Sequence, residues 1–576
     1  MAGALVATVF ASPLLPTRRG ARPFAWGGGG TPAGSRSLPP PASPRLARAL
    51  SLLPSPPAPR QRGAYVPPVR SALPAASAAA ASPWVQAAAL AAVIATALRF
   101  VMARARVWAE DHAPMLGWVL RAVLTNTPGD YHLEMEKTFA ARGWPKALPM
   151  IPGKVLVSDP DIATHVLVTK DYPKATFYQT LTEPARGCPY LGDGMVTQTD
   201  HGKWAERRKQ LDKGFTPQRL RAMVPEIDAN ATRLRDGLVG ACAGGAPVET
   251  ADPLVAFAMD TVAQVTSGQD FGMLEDAFRG EGEAVGGRGP KNIPASISVV
   301  AVEMMKQFLA PYRNKLPLVT PAIRRTASAA RAVRGYARGV VETRIAEGPQ
   351  GRQDLLAAVL AVEGITTEGA VDELLTFYLA GADTTARTLA WCLNALAERP
   401  EELAKVQAEL DAAIPDPSLP ITYDTAMSLK HTMHVWNETL RLWTPTPGGP
   451  PRVLPEDDGE ILPGRVVPKG TDVIVSFWLL HRNPKTWGED AGEFRPSRWE
   501  ELGPAASIPG FIPFATGSRN CAGQGFATLE GLIALARLLG PGGCHVTKPA
   551  GAREVVGEMQ LTLTPVPGLD LLFTPR

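Results

Sequence analysis

The spacing of apolar positions after about residue 110 is mainly helical. Apolar side chains recur three and four residues apart, which places them on one face of a helix. This spacing predicts long helices over 219–238, 299–308, 327–345, 371–396 and 401–414, and a last helix over 524–539. So many long helices, with little alternation of apolar and polar residues between them, indicate a largely helical fold.

Short β segments interrupt the helices at two places. Residues 154–158 form an apolar run that predicts a strand, and Asp159-Pro160-Asp161 after it has the acids and proline of a helix start. Later in the chain the pattern changes to turns and short strands, predicted over 465–467 and 472–477. The expected fold class is therefore mainly α with a small β part.

The first part of the chain, 1–82, has the composition of a targeting segment. It contains no Asp or Glu, many arginines, no lysine, and abundant Ser, Pro, Ala and Gly. Such a segment buries too little apolar surface to offset the entropy of ordering it. We interpret it as a disordered transit-peptide-like segment, for a chloroplast rather than a mitochondrion, with an ordinary disordered tail as the alternative.

An apolar run from 83 to 98, closed by arginines, follows this leader and makes 83–106 a candidate membrane anchor. The run is shorter than the ~20 residues that a spanning helix needs. Trp84 and the arginines suit the two interfaces of a bilayer. A surface helix, or a continuation of the leader, is the alternative interpretation.

Charge and cysteine content exclude two classes of protein. Lys and Arg number 59 against 55 Asp and Glu, a net charge of +4, which argues against a nucleic-acid-binding protein built on a basic face. The five cysteines are scattered and contain no CxxC pair. A disulfide framework or a zinc site of paired cysteines is therefore excluded, and each cysteine must be judged by its own surroundings.

One cysteine stands out in the segment Phe514-Ala-Thr-Gly517-Ser-Arg519-Asn-Cys521-Ala-Gly523, directly before the predicted last helix. The positive end of that helix and nearby backbone N–H groups favour a thiolate. The two glycines let the backbone pass close to a flat ligand. Phe514 can shield the sulfur, and Arg519 can bind an acidic group. A sulfur ligand to haem iron has these requirements, whereas a structural cysteine is the plain alternative.

This segment resembles the cytochrome P-450 haem-binding signature, F-x-x-G-x-R-x-C-x-G, at each defined position. The resemblance covers 107–576 and implies the cytochrome P-450 fold, with haem b (iron protoporphyrin IX) as cofactor and Cys521 as the metal ligand. It also implies a monooxygenase that takes O2, a hydrophobic small-molecule substrate and an electron donor. The donor would be ferredoxin in a plastid, or an NADPH-dependent diflavin reductase on the endoplasmic reticulum.

A second motif, Glu438-Thr-Leu-Arg441, places two opposite charges three residues apart on one predicted helix face. On its own this spacing is most often a surface ion pair. The resemblance implies instead a buried network with Arg498, in the segment Phe494-Arg-Pro-Ser-Arg498-Trp499, which locks the loop before Cys521. Here Trp499 stands where the family has Phe.

A third motif, Ala380-Gly-Ala-Asp383-Thr384-Thr385, lies inside the predicted helix 371–396. A mid-helix glycine lowers helix stability by up to about 1 kcal/mol, and a Thr hydroxyl that bonds to a preceding carbonyl bends the helix. The segment resembles the family's oxygen-activation groove, which assigns catalytic roles to Asp383 in proton relay and to Thr384 at the bound dioxygen. A polar patch on a surface helix is the alternative.

Trp204-Ala-Glu-Arg-Arg208 matches the family's W-x-x-x-R, and its two ends share a helix face. The resemblance implies that Trp204, as an N–H donor, and Arg208, as a charged fork, bind a haem propionate. Arg452 and Arg519 would complete this cofactor-binding set, to which Phe514 and Gly523 belong at the sulfur.

Two other functions fit a haem-thiolate chain. A lipid-peroxide isomerase or dehydratase needs neither O2 nor electrons, and a non-catalytic haem-binding protein needs no proton relay. The Asp383-Thr384 pair argues against both, because relatives of the first kind often lack it.

The substrate that the sequence favours is a lipid, and a fatty acid before a carotenoid or a sterol. Two stretches, 191–204 and 487–496, resemble fatty-acid-hydroxylating relatives, which is likeness of subgroup rather than of site. A fatty-acid carboxylate would need a cationic anchor, for which Lys170, Lys174 and Arg186 are the candidates. The expected location is a chloroplast membrane, with the endoplasmic reticulum membrane as the alternative.

Overall fold

The computed structural model describes residues 129–151, 153–183, 187–279, 293–309 and 321–576, which fall within one compact unit. The predicted leader 1–82 and the candidate anchor 83–106 lie outside these residues. None of the described helices is both long and apolar enough to cross a bilayer.

Helices make up most of the described chain. The first half contains α1 (Tyr131–Ala141), α2 (Pro160–Thr164), α3 (Phe177–Thr182), α4 (His201–Leu211), α5 (Pro217–Ala241), α6 (Ala251–Ser267), α7 (Met273–Phe278) and α8 (Ile293–Leu309). The second half contains α9 (Pro321–Glu347), α10 (Leu355–Leu360), α11 (Thr367–Ala397), α12 (Pro400–Ala413), α13 (Tyr423–Ser428), α14 (Lys430–Leu442), α15 (Phe477–Arg482), α16 (Pro484–Trp487), α17 (Arg498–Leu502) and α18 (Gln524–Leu539).

The strands are short and form small sheets. They are β1 (Ala147–Ile151), β2 (Lys154–Val157), β3 (Val248–Glu249), β4 (Pro451–Val453), β5 (Asp458–Leu462), β6 (Arg465–Val467), β7 (Asp472–Val475), β8 (Cys544–Thr547), β9 (Val556–Met559), β10 (Leu563–Val566) and β11 (Asp570–Pro575). A four-stranded sheet has the order β1-β2-β7-β4, and a three-stranded sheet has the order β3-β11-β8. The fold class is mainly α with a small β part, as the sequence predicted.

Helix α11 is the centre of the molecule. The Thr366 hydroxyl accepts a hydrogen bond from the Gly369 N–H and caps its start. Apolar side chains occupy nearly all faces of the helix, so it must be surrounded by other elements. It packs against α6, α9, α14 and α18, and the last of these follows the cysteine loop directly. The predicted catalytic motif therefore lies in the interior.

The predicted elements agree with the structure except at their ends. The strand over 465–467 and the last helix over 524–539 are confirmed without change. The strand predicted over 472–477 was too long, because it ends at Val475. The Ser476 hydroxyl accepts from the Leu479 N–H and starts α15 there.

Candidate active site

The backbone around Cys521 forms a tight loop. The Cys521 N–H donates to the Phe514 carbonyl at 2.8 Å, and the Asn520 N–H donates to the Gly517 carbonyl at 3.3 Å. Gly517 has φ +77°, and a Cβ there would lie 2.1 Å from the Leu167 carbonyl oxygen. Glycine is thus required by both conformation and close contact. The sequence predicted that Gly517 gives a flat ligand access to the loop, and the structure adds a second reason for glycine, the close contact with the Leu167 backbone.

The Cys521 sulfur is a free thiol that is accessible although protein atoms surround it on all sides. A group in that position lines an interior space. Burial raises the pKa of the thiol, while a hydrogen bond from the Gly523 N–H and the positive charge of Arg208 oppose that rise. A thiolate there would need a further cation to be fully stabilised, and a metal ion bound at the sulfur would supply one.

Arg208 holds the cysteine loop directly. Its guanidinium donates to the Asn520 carbonyl at 2.6 Å and to the Asn520 side-chain oxygen at 2.9 Å. Its Nε donates to Asp212 at 2.6 Å. Arg208 lies on α4 one turn after Trp204, as the motif predicted. Its three donor nitrogens, however, each have a protein partner here.

Three other cations, Lys174, Arg452 and Arg519, lie close together, and the two arginines have unused donors. Arg452 Nε and Arg519 Nε and Nη1 are buried and have no hydrogen-bond partner among the described residues. The Arg519 guanidinium lies 4.3 Å above the Trp204 ring. Burial, with the charges of Arg519 and Arg452, lowers the pKa of Lys174 to about 7. Unpaired buried cations are costly, so this cluster fits an anionic ligand such as a pair of propionates.

Lys174, which the sequence analysis named as a candidate anchor for a substrate carboxylate, lies in this cluster of cations. Its Nζ donates to the Met195 and Val196 carbonyls at 2.9 and 2.8 Å. Lys170 approaches the exposed Glu456 at 3.8 Å, and Arg186 is outside the described residues. Only the tertiary structure brings Lys174 to Arg452, through the bridge between their backbones. The sequence contained no motif for this role.

Glu438, Arg441 and Arg498 form one fully buried network. Arg441 makes a two-pronged contact with Glu438 at 2.8 and 2.9 Å, and Arg498 Nε reaches Glu438 at 3.3 Å. The Trp499 indole N–H also donates to Glu438, at 3.1 Å. The Arg498 Nη1 donates a hydrogen bond to Asp490 Oδ1 at 3.1 Å. Two carboxylates thus balance two guanidiniums, and removal of one partner would cost about 3–5 kcal/mol.

The motif in α11 presents polar groups to an interior space. Thr384 is half-buried, and its hydroxyl donates to the Ala380 carbonyl at 2.9 Å. Ala380 is itself exposed, although the preceding turns of the helix are buried. Asp383 pairs with Arg387 at 3.2 Å and accepts a hydrogen bond from the Thr562 hydroxyl. A Cβ on Gly381 would lie 2.6 Å from Val262, so this glycine permits the close approach of α6.

Sequence reasoning missed one acid near this motif. Glu530 on α18 is fully buried, and neither carboxylate oxygen has a hydrogen-bond partner among the described residues. Burial holds the pKa of Glu530 well above its usual range, while the neighbouring Thr385 hydroxyl opposes that rise. Burial therefore favours the protonated form of the Glu530 carboxyl. Its signal in the sequence was an acid within the otherwise apolar run of the last helix.

These groups meet the requirements of a haem with a sulfur ligand. The accessible sulfur of Cys521 can bind iron, the cations at Arg452, Arg519 and Lys174 can bind two carboxylates, and the groove at Thr384 can receive a small molecule. Fold and site together are those of the haem-thiolate class of proteins.

Comparison with known proteins leads to the same class. The family model for cytochrome P450 matches residues 118–541, more than half of the chain. Cytochrome P450 3A13 of Mus musculus is 29% identical over 410 residues, 66% of this chain and 75% of that protein. Protein LUTEIN DEFICIENT 5, chloroplastic, of Arabidopsis thaliana is 28% identical over 436 residues, 73% of this chain and 70% of that protein.

The chain belongs to the cytochrome P450 family. It is therefore an oxidoreductase of the monooxygenase type that uses haem iron. A bifunctional cytochrome P450/NADPH–P450 reductase of Gibberella moniliformis is also similar, with 30% identity over 364 residues, which are 61% of this chain and 31% of that protein.

Proposed function

We propose that this monooxygenase inserts one oxygen atom from O2 into an apolar lipid, with Cys521 as the iron ligand. The observation that carries the proposal is the accessible Cys521 sulfur, which has a hydrogen bond from the Gly523 N–H beside it. Bound haem b supplies the activation of O2. The chain supplies the ligand, the cations that hold the cofactor, the proton path and the position of the substrate.

The cofactor's two propionates would take the free donors of Arg452 and Arg519, with Lys174 nearby. Burial and, after it, repulsion from Arg519 and Arg452 lower the pKa of Lys174. Anions there would offset that repulsion, so their binding would be coupled to protonation of Lys174. Trp204 supports the Arg519 guanidinium from below. Arg208 would act on the sulfur side, by holding Asn520 and hence the loop.

Proton delivery would use Asp383 and Thr384. The Thr384 hydroxyl already donates to Ala380 in its own helix, which leaves its oxygen able to accept from a water or a bound species. Asp383 would pass protons towards it after releasing Arg387 or Thr562. Glu530, whose pKa is raised by burial, lies beside Thr385 and would hold a further proton close to the same turn of α11.

The cysteine assignment is tested by the spectrum of the reduced, CO-bound protein. We expect the wild-type protein to absorb at the thiolate-specific position and Cys521→Ala to lose that band. Cys392→Ala is the matched control, because Cys392 is fully buried in α11, and it should retain the band. A thiolate-type band that survives in Cys521→Ala would overturn the assignment.

For the substrate class, the two candidates are a fatty acid and a carotenoid. The subgroup likeness in the sequence favours the fatty acid. A carotenoid is favoured by the relative whose name is LUTEIN DEFICIENT 5, and by the position of Lys174, which lies with the propionate cations rather than apart from them as a substrate anchor would. Either chain would gain ~0.8 kcal/mol per buried CH₂.

A spin-shift titration separates these candidates. The purified protein is titrated with a long-chain fatty acid, a carotene and a sterol, and we expect saturable shifts with a lipid of one class only. A response to carotene or sterol with none to the fatty acid rejects the fatty-acid hypothesis. The absence of any shift with all three would reject a lipid substrate.

The same relative, called chloroplastic, and the acid-free leader both support a plastid location and ferredoxin as the electron donor. The relative fused to an NADPH–P450 reductase supports a diflavin reductase as the alternative donor. Reduction of the purified protein by each donor in turn, followed by the CO spectrum, distinguishes them.

A further inference from the structure

A group of metal-binding side chains lies where α12, α14 and α17 meet. His431 and His434 are three residues apart in the first turns of α14, so they share one helix face. One ligand atom from each, and one from Glu500 of α17, lie within 4.8 Å of one another. Tetrahedral zinc holds its ligands about 3.3 Å apart, and rotation of the exposed Glu500 side chain can close the difference.

A second carboxylate approaches His431 from α12. Glu402 Oε2 lies 3.1 Å from His431 Nε2. Both atoms are buried, yet neither has a partner with hydrogen-bond geometry among the described residues, and His434 Nδ1 is also buried and unpaired. An ordinary His–Glu ion pair would satisfy both atoms with one hydrogen bond. Buried polar atoms that approach without bonding indicate that a shared ligand completes them.

The surroundings hold these side chains in place. Both oxygens of Glu409 accept from the first turn of α14, at the His431 and Thr432 N–H groups. Glu402 gives its other oxygen to Lys405 at 2.7 Å, which leaves Oε2 for the cluster.

We propose that His431, His434, Glu402 and Glu500 form a site for a divalent cation of the zinc type. Two imidazoles with carboxylates are the donor set that zinc prefers, whereas magnesium and calcium take oxygen ligands. The site is distinct from the haem centre, and its occupation does not depend on the monooxygenase reaction.

Bound zinc would join elements that support the cysteine loop. Helix α14 carries Glu438 and Arg441, and α17 carries Arg498 as well as Glu500. A metal between His434 and Glu500 would thus connect the same two helices that the Glu438–Arg498 contact connects. The expected role is structural, as a second fastening of α17 to α14.

The test is zinc binding by the untagged, full-length holoprotein after removal of metals with a chelator. Calorimetric titration with ZnCl₂, and metal analysis after dialysis, should give one zinc per chain. His434→Gln and Glu500→Gln should each weaken binding by about tenfold or more. His545→Gln, at an exposed histidine of β8, is the control and should bind as the wild type does.

Glu500 is exposed, so its variant should fold, and circular dichroism checks this. Zinc should also raise the melting temperature of the wild type and the His545→Gln variant, and not that of Glu500→Gln. Failure of the wild type to bind zinc overturns the proposal. Equal zinc binding by His434→Gln, Glu500→Gln and His545→Gln would also overturn the proposal, because the zinc would then be bound elsewhere.

Discussion

Asp383 is anchored at both carboxylate oxygens, which would limit its movement in the proposed proton relay. One oxygen pairs with Arg387 at 3.2 Å, and the other accepts from the Thr562 hydroxyl. The pair with Arg387 is partly buried, so its release has a larger cost than that of a surface ion pair. Thr384 is less restricted, because its hydroxyl bonds only within its own helix. The proton step should therefore respond most directly to Thr384.

The Thr384→Ala variant should keep haem and substrate but lose coupling. Without the hydroxyl, proton delivery is misdirected and electrons form peroxide or water, so product per NADPH consumed should fall by about tenfold or more. The measurement is product and peroxide against NADPH consumed. Thr388→Ala, which removes a hydroxyl that makes the same kind of bond one turn later, is the control. An unchanged ratio in Thr384→Ala would remove that residue from the proton path.

At the scale of elements, the cysteine loop is held by contacts from several directions. Arg208 on α4 bonds to Asn520, and Ser518 donates to Asp171 at 2.6 Å. Gly517 lies against the carbonyl of Leu167 at the end of the helical segment 160–169. The loop has no sheet or helix pairing of its own, so its shape depends on these neighbours.

Gly517→Ala should deform this loop and lower haem content. An alanine at φ +77° costs roughly 1–2 kcal/mol in backbone strain, and its Cβ would in addition overlap the Leu167 carbonyl oxygen. Gly464→Ala is a matched control, because Gly464 has φ +72° with nothing within 4 Å of its Cβ position. Haem content and melting temperature should fall more in Gly517→Ala. Equal losses in both variants would show that the close contact has no effect.

At the scale of the whole molecule, the chain divides into a described catalytic part and a leader of different chemistry. All the groups of the proposed site lie between Lys174 and Thr562. The acid-free segment 1–82 has no counterpart in that part, which contains both acidic and basic residues throughout. We expect the leader to determine the compartment, and the compartment to determine the electron donor.

Residues 1–82 fused to a fluorescent reporter should direct it to the plastid, because arginines without acids are typical of transit peptides. Fluorescence microscopy of plant or algal cells gives the result. The control is the same reporter fused to residues 129–576, which should not enter plastids. A reticular pattern for the full-length fusion would contradict this and make a diflavin reductase the expected donor.

The sequence by itself determined the helices and the motifs, for a physical reason: both depend on residues near one another in the chain. Helical periodicity predicted α18 to the residue and α11 to within four residues at its start. The cysteine loop was recognisable from ten consecutive positions. Glu438 and Arg441 are also local, being one helical turn apart.

Only the tertiary structure decided which distant groups meet. Lys174 and Arg452 are far apart in sequence and come together because β4 lies beside the segment that carries the lysine. Glu530 became notable only when the packed structure showed that its carboxylate is fully buried. His434 and Glu500 were unremarkable until α14 and α17 brought them within reach of one cation. Burial and long-range contact, which set pKa values and leave donors unpaired, are properties of the packed fold and are absent from any local pattern.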